Sequence, residues 1–187
     1  MNVLVGCERS GVVRRAFNMR GHQAWSCDLE PAEDGSAYHL QCDVLEASAI
    51  RQWDLAIFHP PCTYLCASGA RWMHDVEAGK RAELQERALA LVWRLLNLDI
   101  QKIALENPVG AISTNIRPPD QVIQPWQFGH DRSKLTCLWL KNLPYLVPTN
   151  IVPSNGDIHT EAHGPDRAFE RSRTPFQVAE AMAEQWG

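Results

Sequence analysis

A cysteine that follows two prolines is the first feature of this sequence that indicates chemistry. The motif His59-Pro60-Pro61-Cys62 comes directly after Asp54 to Phe58, which reads D-L-A-I-F and is typical of a central parallel strand. The two prolines fix the backbone and direct the Cys62 side chain into the cleft above the sheet. A thiol is nucleophilic once ionised, and the start of the segment after a strand favours the thiolate. Cys62 is therefore a candidate nucleophile, and a strand-end thiol that only packs is the alternative.

A second candidate is the carboxyl of Glu106. The segment Gln101 to Leu105 reads as a strand, and the motif Glu106-Asn107-Pro108 follows it, where the proline ends the strand. Burial of a carboxylate in an apolar β context costs free energy, so we expect Glu106 to face a polar ligand or to act as an acid. Taken alone, Glu106 fits a solvated residue at a strand end equally well.

The first part of the chain alternates strands and helices in a pattern that positions these residues. The predicted strands are Asn2 to Gly6, His22 to Cys27, Tyr38 to Cys42, Asp54 to Phe58 and Gln101 to Leu105. The predicted helices are Val12 to Arg20, which Gly21 closes, then Ala47 to Trp53 and Val76 to Leu98.

The last part of the chain has a different pattern. Val122 to Trp126 and Leu135 to Leu140 read as a β-hairpin joined by Gln127 to Lys134. Pro144 to Pro175 is typical of surface loop, and Phe176 to Trp186 is predicted to be a closing amphipathic helix. The whole chain, residues 1 to 187, is therefore predicted to be one α/β domain with a doubly wound sheet and an antiparallel edge hairpin.

Polar or reactive side chains fall where the predicted parallel strands end. Ligands bind outside the carboxyl ends of the strands in doubly wound sheets, so these side chains indicate a site along that edge. They are Glu8, Asp28, Asp43, Cys62 and Glu106.

Composition narrows the class of protein. With 45% hydrophobic and 21% charged residues the chain can form a packed core, which excludes wholesale disorder. Its 18 Lys and Arg against 22 Asp and Glu give a net charge of −4, which argues against a broad basic face on duplex DNA. The longest apolar run, Ala88 to Trp93, is far shorter than the ~20 residues that span a bilayer. We expect a cytoplasmic protein, without an exported leader and without a membrane partner.

The six cysteines form no C-x-x-C pair of the kind found in structural zinc sites. They are expected to be free thiols in a reducing cytosol, and no metal site is predicted.

The motifs Pro60-Pro61-Cys62 and Glu106-Asn107-Pro108, in this order on successive strand ends, resemble the catalytic pair of the cytosine-5 DNA methyltransferase family, whose signatures are P-P-C and E-N-V. Three further segments are similar to that family's first cofactor loop, its Gln-Arg-rich motif and its final motif: Cys7 to Gly11, His130 to Lys134, and Ser172 to Thr174. The resemblance extends over most of the chain. The sequence also resembles short phage and prophage proteins described as methylases.

The resemblance implies a Rossmann-like fold that uses S-adenosyl-L-methionine, with Asp28 accepting hydrogen bonds from the ribose and Asp43 from the adenine amine. The implied cofactor-binding residues are Cys7, Glu8, Ser10, Gly11, Asp28, Leu29, Asp43, Val44 and Pro60. The implied substrate-binding residues are Pro61, Ser68, Arg71, Asn107, Arg132 and Lys134, with residues 63 to 72 as a loop that closes over a base.

The implied chemistry begins with the Cys62 thiolate adding to carbon 6 of cytosine, which raises the electron density at carbon 5. Glu106, protonated or sharing a proton with ring N3, would stabilise the charge that this attack places on the ring. That role requires a carboxyl with a raised pKa in a dry pocket.

The sequence departs from the family where DNA is read. Only Pro144 to Arg171 stands where the family inserts a large target-recognition domain, and the first loop has one glycine in place of three. We therefore expect weak sequence preference and a DNA substrate in which the cytosine is unpaired or single-stranded, or a free cytosine nucleotide. A partner chain that supplies target recognition is the further expectation.

Two other readings stay open. The first is a methyltransferase-like protein that binds cofactor or nucleic acid without catalysis, since a fold alone does not imply activity. The second is amino methylation of adenine, which uses a P-P-aromatic motif at the same strand end. Pro60-Pro61-Cys62 fits that motif less well, because Tyr64 comes two residues later.

Overall fold

The computed structural model describes residues 1 to 66, 78 to 156 and 172 to 187, and these form one sheet flanked by helices. The strands are β1 Asn2–Gly6, β2 Gln23–Asp28, β3 His39–Gln41, β4 Leu55–Phe58, β5 Lys102–Asn107, β6 Gln121–Ile123 and β7 Thr136–Lys141. The helices are α1 Val12–Met19, α2 Val44–Ala49, α3 Ala78–Leu96, α4 Ala111–Asn115 and α5 Phe176–Trp186.

The strand order is β3-β2-β1-β4-β5-β7-β6. Strands β1 to β5 pair in parallel, whereas β7 lies antiparallel to both β5 and β6. The order reverses between β1 and β4, which makes their carboxyl ends the switch point where a doubly wound sheet binds ligands. The predicted doubly wound sheet and its antiparallel edge hairpin are confirmed.

Apolar side chains cover both faces of the central strands, as the continuous apolar runs of β1 and β4 require. Val3 and Val5 pack in a cluster with α1 and α5, and Leu4 between them packs in the opposite cluster with α2 and α3. This alternation buries the strands completely, so the loops at their ends are held on a rigid base.

Two predicted elements are displaced. Helix α2 begins at Val44 rather than Ala47, because the Asp43 carboxylate accepts a hydrogen bond from the Leu45 amide and caps the helix. The first hairpin strand ends at Ile123, because Pro125 lacks the N–H that a strand ladder needs and begins a single 3-10 turn.

Most other boundaries agree within one or two residues. Helix α5 has the predicted bounds, whereas α4 was not predicted. Within the described ranges, no helix is long and apolar enough to cross a membrane.

The packing of β1 against β4 sets the floor of the cleft. Gly6 ends β1, and a Cβ atom there would lie 2.6 Å from side-chain atoms of both Phe58 and Val44. Phe58 pairs in register with Leu105 of β5. The residues that follow, His59 and Glu106, are consequently neighbours at the same edge of the sheet.

Candidate active site

The loop that carries Cys62 is held to the end of β5, which carries Glu106, and to the loop after β5 by hydrogen bonds to backbone carbonyls. The Asn107 side-chain amide donates to the Pro60 carbonyl at 2.8 Å, and the Ala111 amide donates to the Leu65 carbonyl at 2.7 Å. A Cβ atom on Gly110 would lie 1.9 Å from the Leu65 carbonyl oxygen, so only glycine permits this approach. The two motifs found in the sequence are therefore parts of one rigid unit.

The Glu106 carboxylate is buried and lies among cationic partners. Its Oε2 is 2.8 Å from Nδ1 of His59, and the two side chains are only 8% and 11% exposed. Lys134, also buried, donates from Nζ to the Arg173 carbonyl at 3.2 Å and lines the same narrow cavity as Glu106. Glu106 is therefore a buried carboxylate with cationic neighbours, not an isolated acid in an apolar pocket.

These partners decide the charge of Glu106. Burial alone would raise its pKa, but the Lys134 ammonium and the hydrogen bond and charge of His59 outweigh burial and lower the pKa to about 2. The expected raised pKa is wrong for the protein without substrate, because the sequence did not indicate which cations face the carboxyl. Glu106 is ionised, so Nδ1 of His59 is the hydrogen-bond donor.

The Cys62 thiol is held in its neutral form. Burial, the neighbouring Cys66 thiol and the negative charge of Glu106 raise the pKa of Cys62 to about 11, against the opposing effect of Lys134. The expected thiolate is therefore wrong for the protein without substrate. The same electrostatic effects place Cys62, Glu106 and Lys134 in one site.

The first loop closes on itself. The buried Glu8 carboxylate accepts hydrogen bonds from the Val13 and Arg14 amides at 2.7 and 3.3 Å, and the Ser10 hydroxyl contributes a third at 3.3 Å. Glu8 thereby caps the N-terminus of α1, and the preceding Gly11 has a φ of 66°. Burial raises the pKa of Glu8, although His59 and these amides oppose the shift.

Cys7, just before this loop, also has a left-handed backbone, with a φ of 59°. This is uncommon for a residue other than glycine, and it turns the chain sharply out of β1 at the switch point. Burial raises the pKa of the Cys7 thiol, so it remains neutral.

The ends of β2 and β3 present acceptors suited to a nucleoside. Asp28 ends β2 and accepts from the Glu30 amide at 3.0 Å, and Leu29 beside it is 70% exposed. Asp43 follows β3 and uses Oδ1 to cap α2, while Val44 packs against Gly6. These carboxylate acceptors fit the hydroxyl and amine donors in the adenosine half of S-adenosylmethionine. The Glu8 carboxylate already accepts hydrogen bonds from the amides at the N-terminus of α1, so these amides are not available to the carboxylate of the methionine half.

The proposed substrate residues divide into three groups. Asn107 and Lys134 lie with Cys62 and Glu106, and Pro61 is exposed beside them. Arg132 lies in the hairpin loop with Nε 3.9 Å from Asp131. Ser68 and Arg71 lie outside the described residues.

Sequence reasoning missed His59 and Gly110. His59 stands inside the motif His59-Pro60-Pro61-Cys62. Its contact with Glu106 could have been predicted from the pairing of β4 with β5, because Phe58 pairs with Leu105 and the next residues of two parallel strands are neighbours. Gly110 carries no signal that distinguishes a close backbone approach from an ordinary turn.

All six cysteines lie in the described ranges and are free thiols. In residues 1 to 66, 78 to 156 and 172 to 187, no three His, Cys, Asp or Glu side chains come together as a metal-binding group.

No protein-family model matches the sequence, and no curated protein matches it either. Among solved structures, the fold is similar to an E. coli prophage-encoded protein assigned as a DNA modification methyltransferase, with a TM-score of 0.53 and 16% identity over 82% of this chain and 52% of that one. It is also similar to the Entamoeba histolytica methyltransferase EhMeth, with a TM-score of 0.53 and 13% identity over 81% of this chain and 57% of that one.

The chain thus spans little more than half the length of these two proteins. At such low identity, the likeness concerns the fold alone. The doubly wound, Rossmann-like sheet with an antiparallel edge hairpin that the sequence predicts is confirmed.

Proposed function

We propose that this protein is an S-adenosylmethionine-dependent methyltransferase that methylates carbon 5 of cytosine in DNA through a covalent Cys62 adduct. The observation that carries the proposal is that the loop with Cys62 is hydrogen-bonded to the end of β5, where Glu106 lies, with Lys134 interacting with both residues. A nucleophile, an acid or its conjugate base, and a fixed cation are the groups that addition to a pyrimidine ring requires.

The addition forms a bond between the Cys62 sulfur and carbon 6, and electron density moves through the ring toward N3. For the charges to balance, Cys62 must lose its proton to solvent and N3 must gain one through Glu106. Lys134 favours both anions at this site, the thiolate and the carboxylate. A substrate that displaces water strengthens these interactions, because the local dielectric falls.

Asp28, Leu29 and Asp43 would hold the adenosine part of the cofactor, and the loop from Cys7 to Gly11 with Val44 and Pro60 would border its methionine part. When bound, S-adenosylmethionine supplies a methyl group to the activated carbon 5. The role of these residues is to hold that group above the ring and to exclude water.

Cytosine in a duplex must be flipped out before Cys62 can reach it, at a cost of a few kcal/mol. A chain with a net charge of −4 provides little attraction for the duplex backbone. We therefore propose single-stranded or unpaired cytosine in DNA as the preferred substrate, a free cytosine nucleotide as the smaller form, and a partner chain where duplex recognition is needed.

The test is incubation of the protein with methyl-labelled S-adenosylmethionine and, in parallel, single-stranded DNA, duplex DNA, RNA and dCMP. We expect label in 5-methylcytosine, most of it in single-stranded DNA. The Cys62→Ser variant is expected to lose activity, whereas the matched control Cys42→Ser, a partly exposed thiol just after β3, is expected to keep it.

Label in none of the four substrates would overturn the proposal. Label that persists in Cys62→Ser would exclude the covalent step while leaving a methyltransferase. Label on an adenine amino group would indicate the other methylation chemistry.

One observation favours a second candidate, a protein that binds cofactor or nucleic acid without catalysis. The Glu8 carboxylate occupies amides at the N-terminus of α1, where an open helix end would attract the carboxylate of a ligand. Calorimetric binding of S-adenosylmethionine without turnover on any substrate would support this candidate.

A further inference from the structure

We infer that His59 is a positioning residue that supplies Glu106 with the proton required by the pyrimidine ring. This inference rests on the proposed function and adds a residue to it. Its structural basis is the 2.8 Å contact between Nδ1 of His59 and Oε2 of Glu106, in a position where both side chains are about nine-tenths buried.

The charge of Glu106 does not match its proposed role. The proposed reaction needs a carboxyl that donates a proton, but His59 and Lys134 keep this carboxyl ionised in the protein without substrate. A proton must therefore reach Glu106 during the reaction. The His59 ring is the titratable group in direct hydrogen-bond contact with the carboxylate, because Nζ of Lys134 is directed to the Arg173 carbonyl.

The second ring nitrogen of His59 supports this role. Nε2 is buried and has no hydrogen-bond partner within the described part of the chain. A buried polar atom without a partner costs free energy, and a catalytic role is one of the reasons for which a native protein keeps such an atom. Within residues 1 to 66, 78 to 156 and 172 to 187, hydrogen bonding holds the ring on its Glu106 side alone.

Two carboxyls of the described residues interact with His59, Glu106 from β5 through the hydrogen bond and Glu8 from the β1–α1 loop through its charge. Lys134, next to β7, provides positive charge beside Glu106. The negative charge of Glu106 also raises the pKa of the Cys62 and Cys137 thiols. His59 therefore couples the first loop to the candidate acid.

His59 begins as an imidazolium, its Nδ1–H bond breaks, and an O–H bond forms on Glu106. The protonated carboxyl then gives that proton to N3 as the sulfur of Cys62 bonds to carbon 6, and His59 remains a neutral imidazole with its hydrogen on Nε2. When Glu106 becomes neutral, its negative charge no longer opposes the Cys62 thiolate, and Lys134 is the charge that remains.

The first test needs no methylation activity. In protein labelled with ¹³C at glutamate carboxyls, the Glu106 signal is followed against pH in wild type, His59→Asn and His59→Gln. Both variants can donate a hydrogen bond but cannot carry a transferable proton. We expect Glu106 to titrate well below an ordinary glutamate in wild type. In both variants the midpoint should rise, because a neutral amide keeps the hydrogen bond to the carboxylate but not the positive charge that lowers its pKa.

The second test is the pH dependence of kcat. Each variant should lose about 10²-fold or more in kcat, in the range of general acid catalysis, with an unchanged KM for S-adenosylmethionine. The ratio of wild-type to variant kcat should fall as pH rises, because Cys62 has to ionise in all three proteins, whereas only wild type depends on a protonated His59. His22→Asn, which changes a histidine at the opposite end of β2, is the matched control and should behave as wild type.

An identical Glu106 titration in wild type and in folded variants would overturn the inference, and so would a variant that keeps the wild-type kcat. Absence of methylation by wild type on every substrate would overturn the proposed function and the catalytic role of His59 with it. In that case the titration alone decides whether His59 and Glu106 form a proton-sharing pair.

Discussion

Cys62 and Glu106, at the centre of the cleft, are each in the protonation state opposite to the one that the proposed reaction uses. Cys62 is a neutral thiol and Glu106 is an ionised carboxylate, each held so by its neighbours. Reaction at this site therefore requires a redistribution of protons when substrate enters. This arrangement protects the thiol from side reactions, because the thiolate is the reactive form.

The charges around Cys62 can be tested by alkylation. Glu106 raises the pKa of Cys62 and Lys134 lowers it, so Glu106→Gln should speed the reaction of Cys62 with iodoacetamide at pH 8 and Lys134→Met should slow it. We expect changes of about threefold or more, measured by mass spectrometry of the peptide that contains Cys62.

The matched control is Glu180→Gln, which changes an exposed carboxyl on α5 and should leave the rate unchanged. A slower reaction in Glu106→Gln would mean that the carboxylate does not face the sulfur.

The types of the reactive residues could be predicted from the sequence, but their protonation states could not. Cys62 and Glu106 stand in recognisable motifs at strand ends. The cation that controls both, Lys134, comes from a hairpin far along the chain, and its burial depends on how that hairpin packs. Electrostatic effects of this kind arise from tertiary contacts, which local pattern does not encode.

At the scale of elements, the site depends on how closely two loops approach each other. The Leu65 carbonyl accepts from the Ala111 amide only because Gly110 has no side chain. The loop after β4 is thereby locked to the start of α4, and Cys62 is fixed relative to Glu106.

Gly110→Ala tests this lock. A methyl group 1.9 Å from the Leu65 oxygen must push the loops apart, so we expect a loss of about 1–3 kcal/mol in the free energy of unfolding by urea. Methylation should fall by at least about tenfold, since misplacement of a reacting group by an ångström is costly.

Gly35→Ala is the comparison, because a Cβ atom on Gly35 meets nothing within 4 Å. Its φ of 61° adds backbone strain, so it should lose some stability and keep its activity. Full activity in a folded Gly110→Ala variant would show that the two loops need not be locked.

The order and type of most helices and strands could be predicted from the periodicity of apolar residues. Their ends could be predicted only where a nearby residue, such as a glycine after a helix, marks them in the sequence. Helix α5 has its predicted bounds, and Gly21 with a φ of 82° follows α1 as expected. Helix α2 was misplaced because Asp43 was assigned to a ligand rather than to the helix cap. One aspartate can serve either purpose, and only its observed partner decides.

At the scale of the whole molecule, the buried Glu106 couples folding to pH. Its folded pKa lies below that of an ordinary glutamate, so its ion pair and hydrogen bonds stabilise the fold above about pH 4.5. That contribution is lost as pH falls from about 4.5 through the folded pKa of about 2.

Urea unfolding between pH 2 and 5 tests this coupling. We expect the free energy of unfolding of wild type to fall more steeply with decreasing pH than that of Glu106→Gln, which cannot titrate at this position. Glu180→Gln should follow wild type. Parallel curves for wild type and Glu106→Gln would mean that Glu106 is not held ionised in the fold.

The sheet order also explains why Cys62, Glu106 and Lys134 lie together. Five parallel strands bring their carboxyl ends to one edge, and the antiparallel hairpin carries Lys134 to the same place. This much could be predicted once the strands were recognised. Substrate recognition could not, because it depends on surfaces that the strand pattern does not describe.

The most direct test of the central claim is capture of the covalent adduct. Single-stranded DNA that contains 5-fluorocytosine is incubated with S-adenosylmethionine and the protein, because fluorine at carbon 5 replaces the proton whose loss would release Cys62. We expect intact-mass spectrometry to show one protein joined to one methylated oligonucleotide through Cys62, with no adduct in Cys62→Ser. Methylation of ordinary cytosine by wild type with no trapped complex, or a complex that forms equally in Cys62→Ser, would contradict a reaction through this thiol.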